Sequence, residues 1–523
     1  MTEHVRVAVV GAGFAGLGTA LRLIHAGERS FTVLEQADEV GGTWRDNTYP
    51  GVACDVPSHL YSSSFAPRPD WSRRFASGAE ILDYLRDCAA TPGVAERIRT
   101  GTGLREARWS CTRACWVLST SSGTLTASTL VLATGRFTEP HVPDVPGLAG
   151  FPGPVFHTAR WQDGVDLTGL RVGVVGTGAS AVQLVPELVA RGSRVSIFQR
   201  SAPWVIPKQD TAYSFQDRER FGRQEAARLT HRREIFEEMD AGFAARLTDS
   251  AEHAALRERA MTHLRLQVPD PELRSRLMPD YPIGCKRVLL SDDWYPSLGS
   301  PAVTLEDSAL HALSGSTAVA ESGRRHELDA LILATGFHAS RPAIATAVRG
   351  VGGTLLSRHW RDGMTSYAST AVSGFPNCFI LGGPNSALGH NSALTVLETQ
   401  ISHLLSALHQ LPEGSVCQVR ESAERGYTTE LDQRAARTVW SAGDCSSWYR
   451  DAATGRITLL WPGSAEEYAR RFAAFDPAQF EIHTPVDTPA GTPTGVPART
   501  PVDTAAQTDA PVTTARLQQA RLR

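Results

Sequence analysis

The feature that most limits what this 523-residue chain can fold into is a strand, glycine turn, helix, strand unit that occurs twice. Near the start, VRVAVV runs into GAGFAG, an Ala/Leu-rich segment and FTVLE; from residue 171, RVGVV runs into GTGASA, an apolar segment and RVSIFQR. Strands this uniformly apolar belong in a parallel sheet covered on both faces. A glycine turn between such a strand and a helix lets backbone N–H groups and the helix start meet a pyrophosphate. The expected fold is therefore α/β, with two Rossmann-like dinucleotide-binding domains.

In the first unit Gly11, Gly13 and Gly16 fill the GxGxxG positions, which need a tight turn, a close backbone approach to phosphate and close helix–strand packing. Glu35 ends the next strand, where a carboxylate accepts hydrogen bonds from adenosine ribose hydroxyls and repels a ribose phosphate. In the second unit Gly176, Gly178 and Ala181 take the glycine positions, interleaved with Thr177, Ala179 and Ser180. Its next strand ends in Arg200 and Ser201 instead of an acid, so a cation and a hydroxyl favour NADPH over NADH, with Lys286 as a second cation.

Between about 209 and 280 glycines thin out and charges crowd together, which predicts a helical insertion in the second domain. TLVLATG, ending at Gly135, and LDALILATGF, ending at Phe337, read as buried strands stopping at Thr-Gly turns where the chain crosses between units. The expected division is a discontinuous first domain, 1–150 and 336–483, and a second domain, 151–335. Residues 484–523 are Thr/Pro/Ala-rich with TPVDT twice, too poor in apolar bulk to repay ordering, and are expected to be disordered.

A net charge of -3 supplies no basic field for nucleic acid or anionic lipid. The opening MTEHVRVAVVGAG has no signal-peptide core, and no apolar run is long enough to span a bilayer, so a cytoplasmic protein without membrane partners is expected. Eight scattered cysteines lack a zinc-ligand pattern; reduced thiols and no metal are expected.

Four longer segments carry a family resemblance. GGTWRDNTYPGVACD places Gly42, Trp44, Tyr49, Pro50, Gly51 and Asp55 in one fixed pattern; FPGPVFHTARWQD places Phe151, Gly153, His157 and Trp161 in another. YPIGCKRVLLSDDWYPSL and CSSWYRDAATGRITLLWPG follow later. Together they resemble the Baeyer–Villiger monooxygenases over almost everything before the tail. The resemblance implies FAD in the first domain and NADPH in the second. It implies insertion of one oxygen atom of O2 beside a ketone carbonyl, through a peroxide of the reduced flavin, to give an ester or lactone. It makes Arg287 the catalytic cation and Asp55 its partner, and adds Gly42, Thr43, Trp44, Asp55 and Tyr61 to the FAD-binding set.

Gln162, Trp294 and the GGPNSALGHNS loop depart from the usual family pattern, leaving the particular ketone undefined. The GHNS stretch, with His390 and Asn391, resembles the flavin-containing monooxygenases, so N- or S-oxygenation is the alternative. Trp161 and Arg287 favour the ketone chemistry. A flavin disulfide reductase needs a redox cysteine pair beside the flavin, and Trp44 follows GGT where that pattern has Cys. A nucleotide-binding module without catalysis is the remaining reading. His157, in the segment linking the units, is expected to hydrogen-bond backbone there.

Overall fold

The buried apolar run of β1 (Glu3–Val10) leads through a glycine turn into α1 (Phe14–His25), and the chain returns as β2 (Phe31–Leu34), parallel to β1. A short turn of helix α2 (Thr43–Asp46) and α3 (Gly78–Ala89) follow, then β3 (Ile98–Arg99), β4 (Leu104–Ser110), β5 (Cys115–Thr120) and β6 (Gly123–Leu132). β6 pairs parallel with β1 on the side away from β2, while β4, β5 and β6 form an antiparallel meander. The computed structural model describes residues 2–442, 445 and 447–484. The expected disordered tail thus lies, but for Thr484, outside the described residues.

The second unit opens with β7 (Val155–His157), β8 (Arg171–Val175), α4 (Ala179–Ala190) and β9 (Arg194–Phe198). After β10 (Val205–Ile206) come four helices, α5 (Phe215–Arg223), α6 (Glu225–Ala241), α7 (Ala251–Gln267) and α8 (Pro271–Arg276), where the charge-rich sequence is. Ser214, Ser250 and Asp270 cap three of them with side-chain oxygens, so polar residues mark where these helices begin. The chain returns through β11 (Leu289–Leu290), α9 (Trp294–Leu298), β12 (Val303–Glu306), a meander β13 (Leu310–Ser314), β14 (Thr317–Ala320) and β15 (Arg325–Glu327), and β16 (Ala330–Leu333). The second sheet is fully parallel in the order β12-β9-β8-β16-β7.

The chain then re-enters the first sheet: β17 (Val348–Arg349) pairs with β4, and β18 (Cys378–Ile380) with β6. Helices α10 (Leu356–His359), α11 (Ala393–Gln410), α12 (Glu421–Ala435) and α13 (Ala465–Phe472), with the ribbon β19 (Val416–Val419) and β20 (Phe480–His483), complete it. The two crossings run side by side: His141 N–H donates to Gly336 O at 2.8 Å and His338 N–H to Glu139 O at 3.0 Å. Each leaves its strand at a Thr-Gly turn whose glycine is left-handed, Gly135 at φ 68° and Gly336 at φ 81°.

Of the apolar cores on these sheets, two gather around the glycine-turn helices. One joins Leu17, Leu21 and Leu23 of α1 to Leu85 of α3 and Ile401 and Leu404 of α11; the other joins Leu184, Val185 and Leu188 of α4 to β8, β9 and Leu298 of α9. Each such leucine or valine, removed from water, contributes about 1.5–3 kcal/mol. Among the described residues, no helix is long and apolar enough to cross a membrane.

The cysteines depart from the expectation of reduced thiols. Cys285 and Cys445, 160 residues apart, are joined in a disulfide with Cα atoms 6.4 Å apart, and the other six are free. Spacing along the chain carries no information about a pair that only folding brings together.

Candidate functional site

The first glycine turn is shaped by what surrounds it. Gly11 has φ +105°, and a Cβ there would lie 2.5 Å from Ala133 O. At Gly16 a Cβ would lie 1.8 Å from Gly11 O, so α1 presses directly on the turn. Gly13, with no side-chain cap, starts α1, and no acidic residue occupies the first turn, leaving its N–H groups free for an anion. The backbone at Gly42 packs on Gly13, and Gly41 N–H donates to Ala12 O at 3.0 Å, so the GGTW turn walls the same cradle. Thr43 begins α2 directly after it.

Glu35 is buried and already engaged. One oxygen accepts from Ala12 N–H at 2.9 Å; the other accepts from Ala37 N–H at 3.0 Å and from Arg45 at 3.1 Å. The carboxylate therefore fixes the glycine turn, and the lone pairs left over are what a ribose hydroxyl would use. Trp44 donates its indole N–H to Tyr61 Oη at 3.3 Å, and Tyr61 packs edge-on to Phe14, placing this aromatic pair against the first core.

In the second unit Gly176 has φ +102° with Ala334 O beneath it, and Gly178 starts α4 without a side-chain cap or an acid in the first turn. Ala179 and Ser180 begin that helix, and Ala181 is fully buried, so here a methyl fits where Gly16 tolerates none. Thr177 Oγ1 donates to Ser201 O at 2.9 Å, and Lys286 Nζ donates to Ser201 Oγ at 2.8 Å. Burial lowers the Lys286 pKa and the neighbouring Arg200 lowers it further, against a smaller pull from Asp280. Two cations thus flank one hydroxyl at the end of β9, a donor set that matches a ribose phosphate dianion.

The Tyr-Pro-Gly segment ties the units together. Tyr49 leaves the first unit and is buried in the second core, its Oη donating to Gln183 at 2.9 Å, and burial lifts its phenol to about 12. Gln183 in turn donates to Ala53 O at 2.9 Å, and at Gly51 a Cβ would stand 2.7 Å from Gln183 O. The turn carrying Asp55 is therefore clamped on α4.

Asp55 Oδ2 accepts from Arg287 Nε at 2.6 Å, across 232 residues and across the two units. The pair is partly open, with side chains 31% and 26% exposed. Asp55 raises the Arg287 pKa above its ordinary value; burial opposes ionisation of Asp55, but the guanidinium outweighs it and holds the carboxyl below the usual range. A permanent cation, aimed by one carboxylate and still reachable, can receive negative charge developing on a bound molecule. The donor edge of Arg287 not used by Asp55 is what remains for that purpose.

Tyr449 and Arg246 border this pair and were not singled out from the sequence. Tyr449 is buried within electrostatic reach of Arg287; burial raises its phenol pKa, while Arg287 and Arg246 pull it down. Arg246 is buried and donates to Gly389 O at 3.0 Å. Tyr449 lies within the late CSSWYRD segment, the one signal that pointed near it. His157 Nδ1 accepts from Ala159 N–H at 3.1 Å, capping a turn in the segment between the units. His390 and Asn391 donate to buried Asp240 at 3.3 and 3.0 Å, which places the GHNS stretch in the scaffold.

Residues 8–227 match the family model described as pyridine nucleotide-disulphide oxidoreductase. A Baeyer–Villiger monooxygenase of Streptomyces coelicolor is 42% identical over 486 residues, 92% of this chain and 93% of that one. Among solved structures, an oxidized steroid monooxygenase bound to NADP has a TM-score of 0.80 at 28% identity, covering 92% of this chain and 100% of its own. OTEMO in complex with FAD and NADP has a TM-score of 0.80 at 26% identity, with the same coverage.

Proposed function

The chain belongs to the Baeyer–Villiger monooxygenases, and from that premise we propose that it inserts one oxygen atom of O2 beside the carbonyl of a small-molecule ketone to give an ester or lactone, with Arg287 as the catalytic cation and Asp55 as its partner. It is an NADPH-dependent flavoprotein monooxygenase. FAD would be held in the first unit by Gly11, Gly13, Gly16, Glu35, Gly42, Thr43, Trp44, Asp55 and Tyr61. NADPH would be held in the second by Gly176, Thr177, Gly178, Ala179, Ser180, Ala181, Arg200, Ser201 and Lys286. The domains are then 1–150 with 336–483, and 151–335, a division the sheet memberships support. A cytoplasmic setting, where NADPH is supplied, completes the reading.

When bound, FAD supplies the redox and oxygen-activating chemistry. The protein's own contribution is positional. The Arg287–Asp55 ion pair carries the reading, because oxygen insertion into a ketone places negative charge on the carbonyl oxygen, and a fixed cation stabilises it without reorganising. Asp55 aims the guanidinium, and the clamp of Tyr49 and Gly51 on α4 aims Asp55. N- or S-oxygenation, the alternative, develops no such oxyanion.

Replacing Arg287 by Ala removes the charge and leaves both glycine cradles intact. NADPH-dependent flavin reduction is expected to survive, while ester formation falls by about 100-fold or more. Single-turnover reduction and product analysis on a ketone panel separate the two; an R287A enzyme that forms ester at the parent rate would rule out the assigned role.

A further inference from the structure

The Cys285–Cys445 disulfide stands immediately beside the proposed machinery. Cys285 precedes Lys286 and Arg287, the residues read as phosphate cation and catalytic cation, and Cys445 lies four positions before Tyr449. The bridge therefore joins the segment that supplies both cations to the segment that carries Tyr449, whose phenol lies within electrostatic reach of Arg287. The surroundings are tight: a Cβ at Gly284 would meet Arg246 and Val439 at 3.3 Å, and Val439 N–H donates to Arg246 O at 2.9 Å. Arg450 closes the same segment on itself by donating to Trp440 O at 3.0 Å and Ser441 O at 2.7 Å. In a compartment that supplies NADPH, thiols are kept reduced, and disulfides that form there are mostly transient or redox-sensing.

We propose that Cys285 and Cys445 are a thiol–disulfide site that sets how firmly Arg287 is held between Asp55 and Tyr449, opened by a dithiol reductant and closed by oxidation. One thiolate of the dithiol attacks a bridge sulfur, forming a mixed disulfide and releasing the other cysteine as a thiolate; the second thiol displaces the first cysteine. Two electrons and two protons pass to the protein, and the dithiol becomes a disulfide. With the bridge open, Arg287 keeps Asp55 and loses the fixed position of Tyr449. Tyr449 is a positioning residue, acting through Arg287. Both sulfurs are buried, so opening follows local movement of these segments. The inference rests on the proposed role of Arg287.

The test needs no ketone. Purified full-length protein is denatured under non-reducing conditions and alkylated with iodoacetamide, before and after dithiothreitol; six labels rising to eight are expected from one bridge and six free thiols. The folded holoenzyme, oxidised or dithiothreitol-treated and desalted, is then given NADPH and O2 alone. The uncoupled reaction, NADPH, a proton and O2 to NADP+ and hydrogen peroxide, is followed as peroxide released. Reduction is expected to raise that rate by about tenfold through loss of positioning, with the NADPH-dependent flavin reduction rate unchanged. Cys445→Ser is expected to show the raised rate without reductant and no response to it, and Tyr449→Phe to show it even when oxidised. Eight labels without reductant, or equal peroxide rates in all forms, would overturn the proposal. Protein that purifies without flavin would instead count against the enzyme reading, while the label count would still report the bridge.

Discussion

At the scale of single residues, charge placement decides cofactor and chemistry. Arg200 sits close enough to Lys286 to disfavour its charge, and Lys286 hydrogen-bonds Ser201 beside it. Such a pair gains most from a dianion, so its removal acts on the phosphorylated dinucleotide. Arg200→Ala and Lys286→Ala are each expected to raise the KM for NADPH by about ten- to a hundredfold, since a charge-assisted hydrogen bond is worth about 1.5–3 kcal/mol. The KM for NADH should change little. Steady-state oxidation of both dinucleotides checks this, and equal effects on the two would remove the phosphate assignment. Arg200 was legible in the sequence because the end of the second strand of a dinucleotide unit meets the ribose, and Lys286 because it stands in the YPIGCKR segment. Tyr449 and Arg246 were not, because they come from a loop and the helical insertion, and no local pattern encodes what a loop touches.

At the scale of elements, the two glycine turns look alike in sequence and differ in tolerance. The Cβ that Gly16 lacks would overlap Gly11 O, whereas the second unit carries Ala181, fully buried, at the equivalent place. Gly16→Ala must therefore push α1 off β1, widening the cradle that holds the pyrophosphate. It is expected to purify with most of its flavin lost, and Ala181→Gly to keep both cofactors, as read from flavin absorbance after desalting. Retention of full flavin by G16A would mean that α1 is held less tightly than its contacts indicate. The Tyr49–Gly51 clamp is also a property of elements: the motif was read as a family signature, and packing explains it, with one turn of the first unit buried in the core of the second.

At the scale of the whole molecule, a buried carboxylate is one of the links between the helical insertion and the re-entering part of the chain. Asp240, near the end of α6, accepts from His390, Asn391 and the N–H groups of Ala465 and Glu466, which begin α13. Burial opposes its ionisation, but these hydrogen bonds outweigh burial and hold it at about 2, against an ordinary 3.8. A carboxyl depressed in the folded state contributes stability that is complete above its unfolded value. That stability is lost as pH falls from about 3.8 towards 2. His59 and His157 act higher: burial lowers them to about 3 and about 4 from 6.5, so the unfolded chain takes up protons first and stability declines as pH drops below 6.5. Melting temperature measured against pH should fall in two stages. Asp240→Asn should shrink the lower one, to which Asp55 and other depressed carboxylates also contribute, and cost about 1–3 kcal/mol at neutral pH through donors left unpaired. A profile flat down to pH 4 would contradict the neutral burial of both histidines.

What the sequence by itself determined is whatever repeats locally: strand, glycine turn and helix in fixed order, the acid or cation at the end of the next strand, and motifs whose spacing mirrors one turn of chain. From these the two-unit α/β fold, the cofactor pair and the family followed, because each rests on contacts among residues close in sequence. Only the tertiary structure decided how Asp55 meets Arg287 across 232 residues, how Tyr449 comes to border that pair, that His390 and Asn391 serve Asp240, and that Cys285 is bonded to Cys445. Those contacts join segments far apart along the chain, and their partners are chosen by the packing of two cores against each other, which no short stretch of sequence contains.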